Sequence, residues 1–201
     1  REPQVRGVIS ATRGNHGQSI AFAARRHGLA ATIVVPHGNS VEKNAAMRAL
    51  GAELIEQGDD FQASREHAAA LATQRELHFV PSFHRDLVLG VATYARELFD
   101  AAVGLDTVYV PVGMGSGINA LIGVRDLLGL DTAIVGVVAA AAPATRLSFD
   151  AGHVVTTESA STFVDGVACR VPDPVAIAGM VGGAARIIEV ADVDVAEAMR
   201  L

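Results

Sequence analysis

Short β-branched runs alternate with helix-length segments through the first 81 residues, and that alternation constrains the fold more than anything else in the chain. The runs 7–11, 31–35, 53–56 and 78–80 read as strands. Between them lie a helix carrying Ile20, Phe22, Ala23 and Ala24 that ends near His27 and Gly28, a helix over 41–50 stopped by Gly51, and an alanine-rich helix over 61–75. Strand, helix and strand in repetition require right-handed crossovers, and these build a parallel sheet. The pattern resumes with a helix over 87–99, a strand over 107–112, a helix over 118–128 and strands over 133–138 and 187–190. The expected class is α/β: two open parallel-sheet units, a smaller one over 1–83 and part of a larger one over 84–201. Residues 139–144 carry little signal, and 150–161 are polar and turn-rich. Pro172, Pro174, Gly182 and Gly183 are expected to break the later chain into short pieces. A helix opens at Asp192 and reads as cut rather than capped, and the start offers no first element. The sequence is therefore expected to be a piece of a longer protein, incomplete at both ends.

The run Thr107-Val-Tyr-Val-Pro-Val112 leads straight into Gly113-Met114-Gly115-Ser116-Gly117 and then an apolar helix. A strand, a glycine turn and a helix start make an anion cradle. Glycine lets the backbone approach a phosphate, and the free N–H groups of the first helical turn point at it. Ser116 adds a hydroxyl donor. The Walker ending Gly-Lys-Ser/Thr is missing. The dinucleotide fingerprint fits only in part, because Ile118 stands in place of the third glycine and no acid follows to hold a ribose. The loop alone also fits a plain strand-to-helix turn.

Composition closes off several classes. Half the residues are hydrophobic and 19% are charged, which excludes disorder and provides a sizeable core. A net charge of −6 disfavours a nucleic-acid partner. No apolar run has the length of a membrane span, and the polar start Arg1-Glu-Pro-Gln4 is no signal peptide. One cysteine, Cys169, excludes an internal disulfide, suits a cytoplasmic protein, and reads as a small buried filler. His37, His67, His78, His84 and His153 lack metal-ligand spacing, so no metal is expected.

A second strand–turn–helix join lies at Ser10-Ala-Thr-Arg-Gly-Asn-His-Gly-Gln18. Its free helix-start N–H groups suit a carboxylate, and Asn15 offers a donor and an acceptor. Alone it could be an N-cap and nothing more. With Val35-Pro36, Met47 to Glu53, Gly90 to Thr93, Val110 to Gly117, Val135 to Val137 and Asp165-Gly166, in that order and spacing, the chain resembles the fold-type II pyridoxal-phosphate enzymes. Within them it is similar to the threonine/serine dehydratases and serine racemases. The resemblance implies a tryptophan-synthase-β-like fold, pyridoxal 5'-phosphate as cofactor, a small amino-acid substrate and a homodimer. It implies that Asn15 bonds the cofactor's phenolic oxygen, and that Gly113, Met114, Gly115, Ser116 and Gly117 wrap its phosphate. Gly166 would lie close to the cofactor. Thr12, Arg13, Gly14 and His16 would hold the substrate. The implied reaction is β-elimination from threonine or serine, giving a 2-oxo acid and ammonia.

The chain departs from that pattern in three places. The family's cofactor-bearing lysine lies upstream of the asparagine turn in a Ser-x-Lys-x-Arg-Gly context, and that context is absent. The single lysine, Lys43, matches another position and reads as a solvated helix residue. Arg13 stands where dehydratases carry a small residue and racemases a serine. It is never deprotonated, so it cannot serve as a racemase base. It could clamp a second substrate carboxylate or turn outward to solvent. Val138, Ala142 and Ala144 occupy positions that hold a divalent cation in the racemase branch, and they carry no carboxylate for one. His16, at a helix start, is read as fixing the turn rather than as a base. Two other readings stay open: a lysine-less, non-catalytic module that binds a phosphate ligand, and a sister lyase or β-replacement enzyme such as a 3-hydroxyaspartate dehydratase.

Overall fold

The computed structural model describes residues 6–201; the polar start, Arg1 to Gln4, lies outside them. The chain divides into two compact units, Arg1–Ser82 and Phe83–Leu201. In the first, strands β1 (Gly7–Ala11), β2 (Ala30–Val35), β3 (Glu53–Glu56) and β4 (His78–Phe79) form one sheet in the order β3-β2-β1-β4, with every pair parallel. Helices α1 (Asn15–Arg26), α2 (Val41–Ala49) and α3 (Phe61–Arg75) link them.

The two faces of this sheet are covered by different helices. Ile33 and Val35 pack with Ala21 and Ala24 of α1 and Met47 of α2, while Val34 packs with Ile9, Ala11 and the α3 residues Ala68, Leu71 and Ala72. A strand covered on both sides cannot alternate polar and apolar residues, which is why β2 reads Ala-Ala-Thr-Ile-Val-Val. Strand order turns at β1. The chain adds β2 and β3 on one side of it and then returns to place β4 on the other, so the order reverses between β1 and β4. In open α/β sheets such reversals are where ligands bind.

The second unit holds β5 (Thr107–Pro111), β6 (Ala133–Ala139) and β7 (Arg186–Val190), parallel and in that order. Its helices are α4 (Arg85–Ala101), α5 (Ser116–Leu127), α6 (Ala144–Ala151), α7 (Pro174–Gly183) and α8 (Asp192–Ala198). Phe99, Val110, Val112, Ile118, Leu121, Ile134, Ile177 and Met180 form its core. Gly136 of β6 is needed there, because a Cβ would fall 3.0 Å from Ile118 Cδ1 and from Val112 Cγ2.

The late chain differs from its sequence reading. Pro174, Gly182 and Gly183 do not fragment it: they bound one continuous helix. Asp173 caps α7, its carboxylate accepting from Val175 N at 2.9 Å and Ala176 N at 3.2 Å. Pro174 follows at the first helical position, where its missing N–H costs nothing, and the glycines mark the end. Helix α6 begins at the end of the low-signal stretch 139–144 and runs over residues for which no element was expected. Helix α8 closes at Met199 rather than running on to the last residue.

Candidate functional site

The first site candidate is the turn between β1 and α1. Helix α1 starts without a side-chain cap at its N-cap residue, Gly14. Thr12 does that work from two residues earlier. Its buried Oγ1 accepts from Gly14 N at 2.9 Å and from Gly17 N at 3.3 Å. Thr12, Arg13, Gly14, Asn15 and His16 therefore share one tight turn at the carboxyl end of β1. The N–H groups of Asn15 and His16 meet no acceptor among the described residues, and Asn15 is exposed. Free N–H groups at a helix start favour an anion.

His16 is tied into the protein. Its Nε2 lies 3.0 Å from Ser10 Oγ, and the Ser10 hydroxyl donates to Val80 O at 2.7 Å. Ser82 Oγ donates to Ala11 O at 3.1 Å, so two hydroxyls stitch the turn to the segment after β4. Burial lowers the His16 pKa from its ordinary value, against a smaller opposing effect of the Val80 carbonyl. The imidazole is therefore neutral at pH 7 and holds the turn in place.

Lys43 is not a solvated helix lysine. It is half-buried on α2, and its stem lies across Gly14. A Cβ at Gly14 would stand 2.6 Å from Lys43 Cδ and 3.3 Å from its Cε. The sequence reading missed this because the partner is a glycine 29 positions earlier, and only the tertiary fold brings it under the lysine. Lys43 also stands at another position than the family's cofactor-bearing lysine. Adding pyridoxal phosphate to residues 1–201 and reducing with borohydride is expected to leave no stoichiometric adduct at Lys43 by peptide mass spectrometry. A site-specific adduct there, together with activity, would overturn this.

The second candidate is the loop between β5 and α5. The N–H groups of Gly113, Met114, Gly115, Ser116, Gly117 and Ile118 have no acceptor among the described residues. Gly115 is the N-cap of α5, with φ 97°, a left-handed conformation that glycine adopts without penalty. The Asn119 side chain holds the loop's shape, donating to Gly115 O at 2.8 Å and to Ala176 O at 3.2 Å. Gly113 has no room for a side chain: a Cβ would stand 2.5 Å from Gly166 O. Gly166, exposed in a short 3-10 turn, is thus backed against Gly113 by main chain alone. Tyr94 Oη lies 3.4 Å from Gly117 O.

Asn119 and Thr12 hold the shape of the two loops, roles that sequence reasoning did not find. An asparagine four residues after the N-cap glycine was the available signal for the first. Cys169 is buried as expected, and its thiol lies 3.7 Å from the Met114 sulfur. Val138, Ala142 and Ala144 are fully buried in apolar surroundings. Among the described residues no three His, Cys, Asp or Glu side chains converge as metal ligands.

Comparison with known proteins places these loops in context. A threonine dehydratase of Nicotiana attenuata is 35% identical over 169 residues, covering 84% of this chain and 28% of the relative. The biosynthetic L-threonine dehydratase of Escherichia coli K12 is 34% identical over 173 residues, covering 84% and 33%. The chain thus spans about a third of the length of the curated relatives it matches. The solved structure of the processed form of threonine deaminase isoform 2 from Solanum lycopersicum superposes with a TM-score of 0.85 at 30% identity, over 92% of this chain and 52% of that one. The family model described as "Pyridoxal-phosphate dependent enzyme" matches residues 1–201, and with both loops at the carboxyl ends of parallel strands the chain belongs to that family.

Proposed function

We propose that the intact protein is a pyridoxal-phosphate-dependent dehydratase, an ammonia-lyase that converts threonine or serine to a 2-oxo acid and ammonia. The observation that carries this reading is the glycine cradle at the start of α5. Six consecutive N–H groups without acceptors, a positive helix end and the Ser116 hydroxyl suit a phosphate dianion. Gly113, with Gly166 O standing where its Cβ would be, presents bare main chain there. The donor set therefore fits the cofactor's phosphate.

In this reading Gly113, Met114, Gly115, Ser116 and Gly117 bind that phosphate, and Asn15 donates to the phenolic oxygen. Thr12, its oxygen occupied by two amides, has one hydroxyl proton left to give to the substrate. The N–H groups of Asn15 and His16 orient the substrate carboxylate. His16, neutral and bound to Ser10, fixes the turn and moves no proton. When bound, pyridoxal phosphate supplies a ring that accepts the charge left as the substrate loses its α-proton. We assign that proton to a lysine elsewhere in the protein, since Lys43 matches another position of the family pattern. We also assign residues 1–83 to a small domain and 84–201 to part of a large one, with two copies forming a cytoplasmic homodimer. Similarity to the threonine dehydratases supports the reaction assigned. Among the described residues no helix is long and apolar enough to cross a membrane.

The test uses the full-length protein with threonine and with serine, following 2-oxo acid release. Activity is expected to require pyridoxal phosphate and to survive exhaustive chelation, because the cation positions hold Val138, Ala142 and Ala144. No 2-oxo acid from either substrate would overturn the reading. Loss on chelation, restored by magnesium, would overturn its metal-free part.

A further inference from the structure

Arg13 is the residue of the asparagine turn that neither the fold nor the reaction yet uses. It makes no hydrogen bond or ion pair among the described residues, and its Nε is buried without an acceptor. Exposed arginines here, which water could serve, still meet carboxylates: Arg75 with Glu53 at 2.7 Å, Arg96 with Asp100 at 2.7 Å, Arg146 with Asp150 at 2.8 Å. Arg13 is the one arginine among the described residues with a buried nitrogen left orphaned. A buried donor without an acceptor is costly, and it persists where a ligand supplies the acceptor.

The turn around it is already electropositive. The α1 start offers the Asn15 and His16 N–H groups, enough for one carboxylate. Lys43 Cε comes within 3.3 Å of the Gly14 Cβ position, so a second cation begins one bond beyond a methylene packed on the same turn. Those two amides can hold the α-carboxylate without Arg13, which leaves its fork available to a second one. We propose that Arg13 binds a second acidic group on the substrate, so that a β-hydroxy amino dicarboxylate is bound in preference to threonine and serine, which remain substrates. The guanidinium's planar fork matches a carboxylate bidentately. This deepens the dehydratase reading of the same turn and rests on it.

The test compares two amino acids that lack the β-hydroxyl and so are not eliminated: aspartate, which has the second carboxylate, and 2-aminobutyrate, which has a methyl group instead. Their affinities for the full-length holoprotein are measured calorimetrically. The parent is expected to prefer aspartate by about 10- to 100-fold, the effect of a charge-assisted contact. In Arg13→Ala that ratio should collapse toward one, and Arg13→Lys should keep part of it. Circular dichroism checks that both variants fold. A ratio near one in the parent overturns the proposal. So does an unchanged ratio in Arg13→Ala, or an equal fall for both ligands, which would mean that Arg13 serves the α-carboxylate. Conversion of 3-hydroxyaspartate to its 2-oxo acid is followed separately. Aspartate preference without any elimination would sink the dehydratase reading and leave Arg13's role standing.

Discussion

Replacing Gly17 by alanine is expected to lower the thermal midpoint of the protein, while Gly123→Ala raises it. Both glycines sit in helices, where alanine is intrinsically better by about 1 kcal/mol. Their surroundings reverse the sign. At Gly123 a new Cβ meets nothing within 4 Å, so the propensity gain is realised. At Gly17 the Cβ would fall 2.5 Å from Met47 Sδ, 2.5 Å from Thr12 Cγ2 and 3.0 Å from Ile33 Cγ2. Met47 and Ile33 are fully buried, and Thr12 is fixed by the two amides it caps. None can move freely, and overpacking of this kind costs about 1–3 kcal/mol. The net loss then reaches up to about 2 kcal/mol, or several degrees in a domain of this size. Differential scanning calorimetry on both variants decides it. A stabilised Gly17→Ala would mean that the packing of α1 on β2 and α2, and with it the shape of the asparagine turn, is looser than described.

The same Gly17 shows what a sequence can and cannot carry. Its motif, Gly14-Asn-His-Gly-Gln18, marked the site, because a strand followed by polar turn residues and a helix is a local pattern. Most strands were visible for the same reason: β-branched runs bounded by glycine or proline are short-range signals, and the run 53–56 came out with the observed limits. Three features were not legible. Lys43 lies on Gly14, a contact between elements with no local trace. Helix α6 is held by Ser148, whose hydroxyl donates to Ala144 O at 2.6 Å and accepts from Val155 N at 2.8 Å, and serine is a weak helix signal. Helix α7 begins at a proline and ends at paired glycines, and residues that break helices in mid-course also delimit them. The site loops were thus readable because their chemistry is local. Which groups in them are already occupied, as Thr12 and His16 are, required the fold.

The occupied groups sharpen the expectation for the phosphate loop. Gly115→Val is expected to weaken cofactor binding more than Ser116→Ala does. The serine change removes one charge-assisted hydrogen bond, worth about 1.5–3 kcal/mol, or roughly 10- to 150-fold in affinity. The valine change acts on the frame that aims all the amides. Gly115 has φ 97°, where a β-branched residue is strained by about 1–3 kcal/mol. Its Cβ would also stand 3.1 Å from Ala176 Cβ and 3.3 Å from Met180 Cε, both on buried residues of α7. Relief requires the N-cap to shift, and Gly115 O is the acceptor that Asn119 uses to hold the loop. Several N–H groups then lose their aim at once. Cofactor affinity is titrated by absorbance in the full-length protein, with circular dichroism to confirm folding and Gly115→Ala as a milder variant carrying the same φ strain without the branched side chain. A folded Gly115→Val that binds pyridoxal phosphate as tightly as the parent would place the phosphate away from this loop, and the dehydratase reading would lose the observation that carries it.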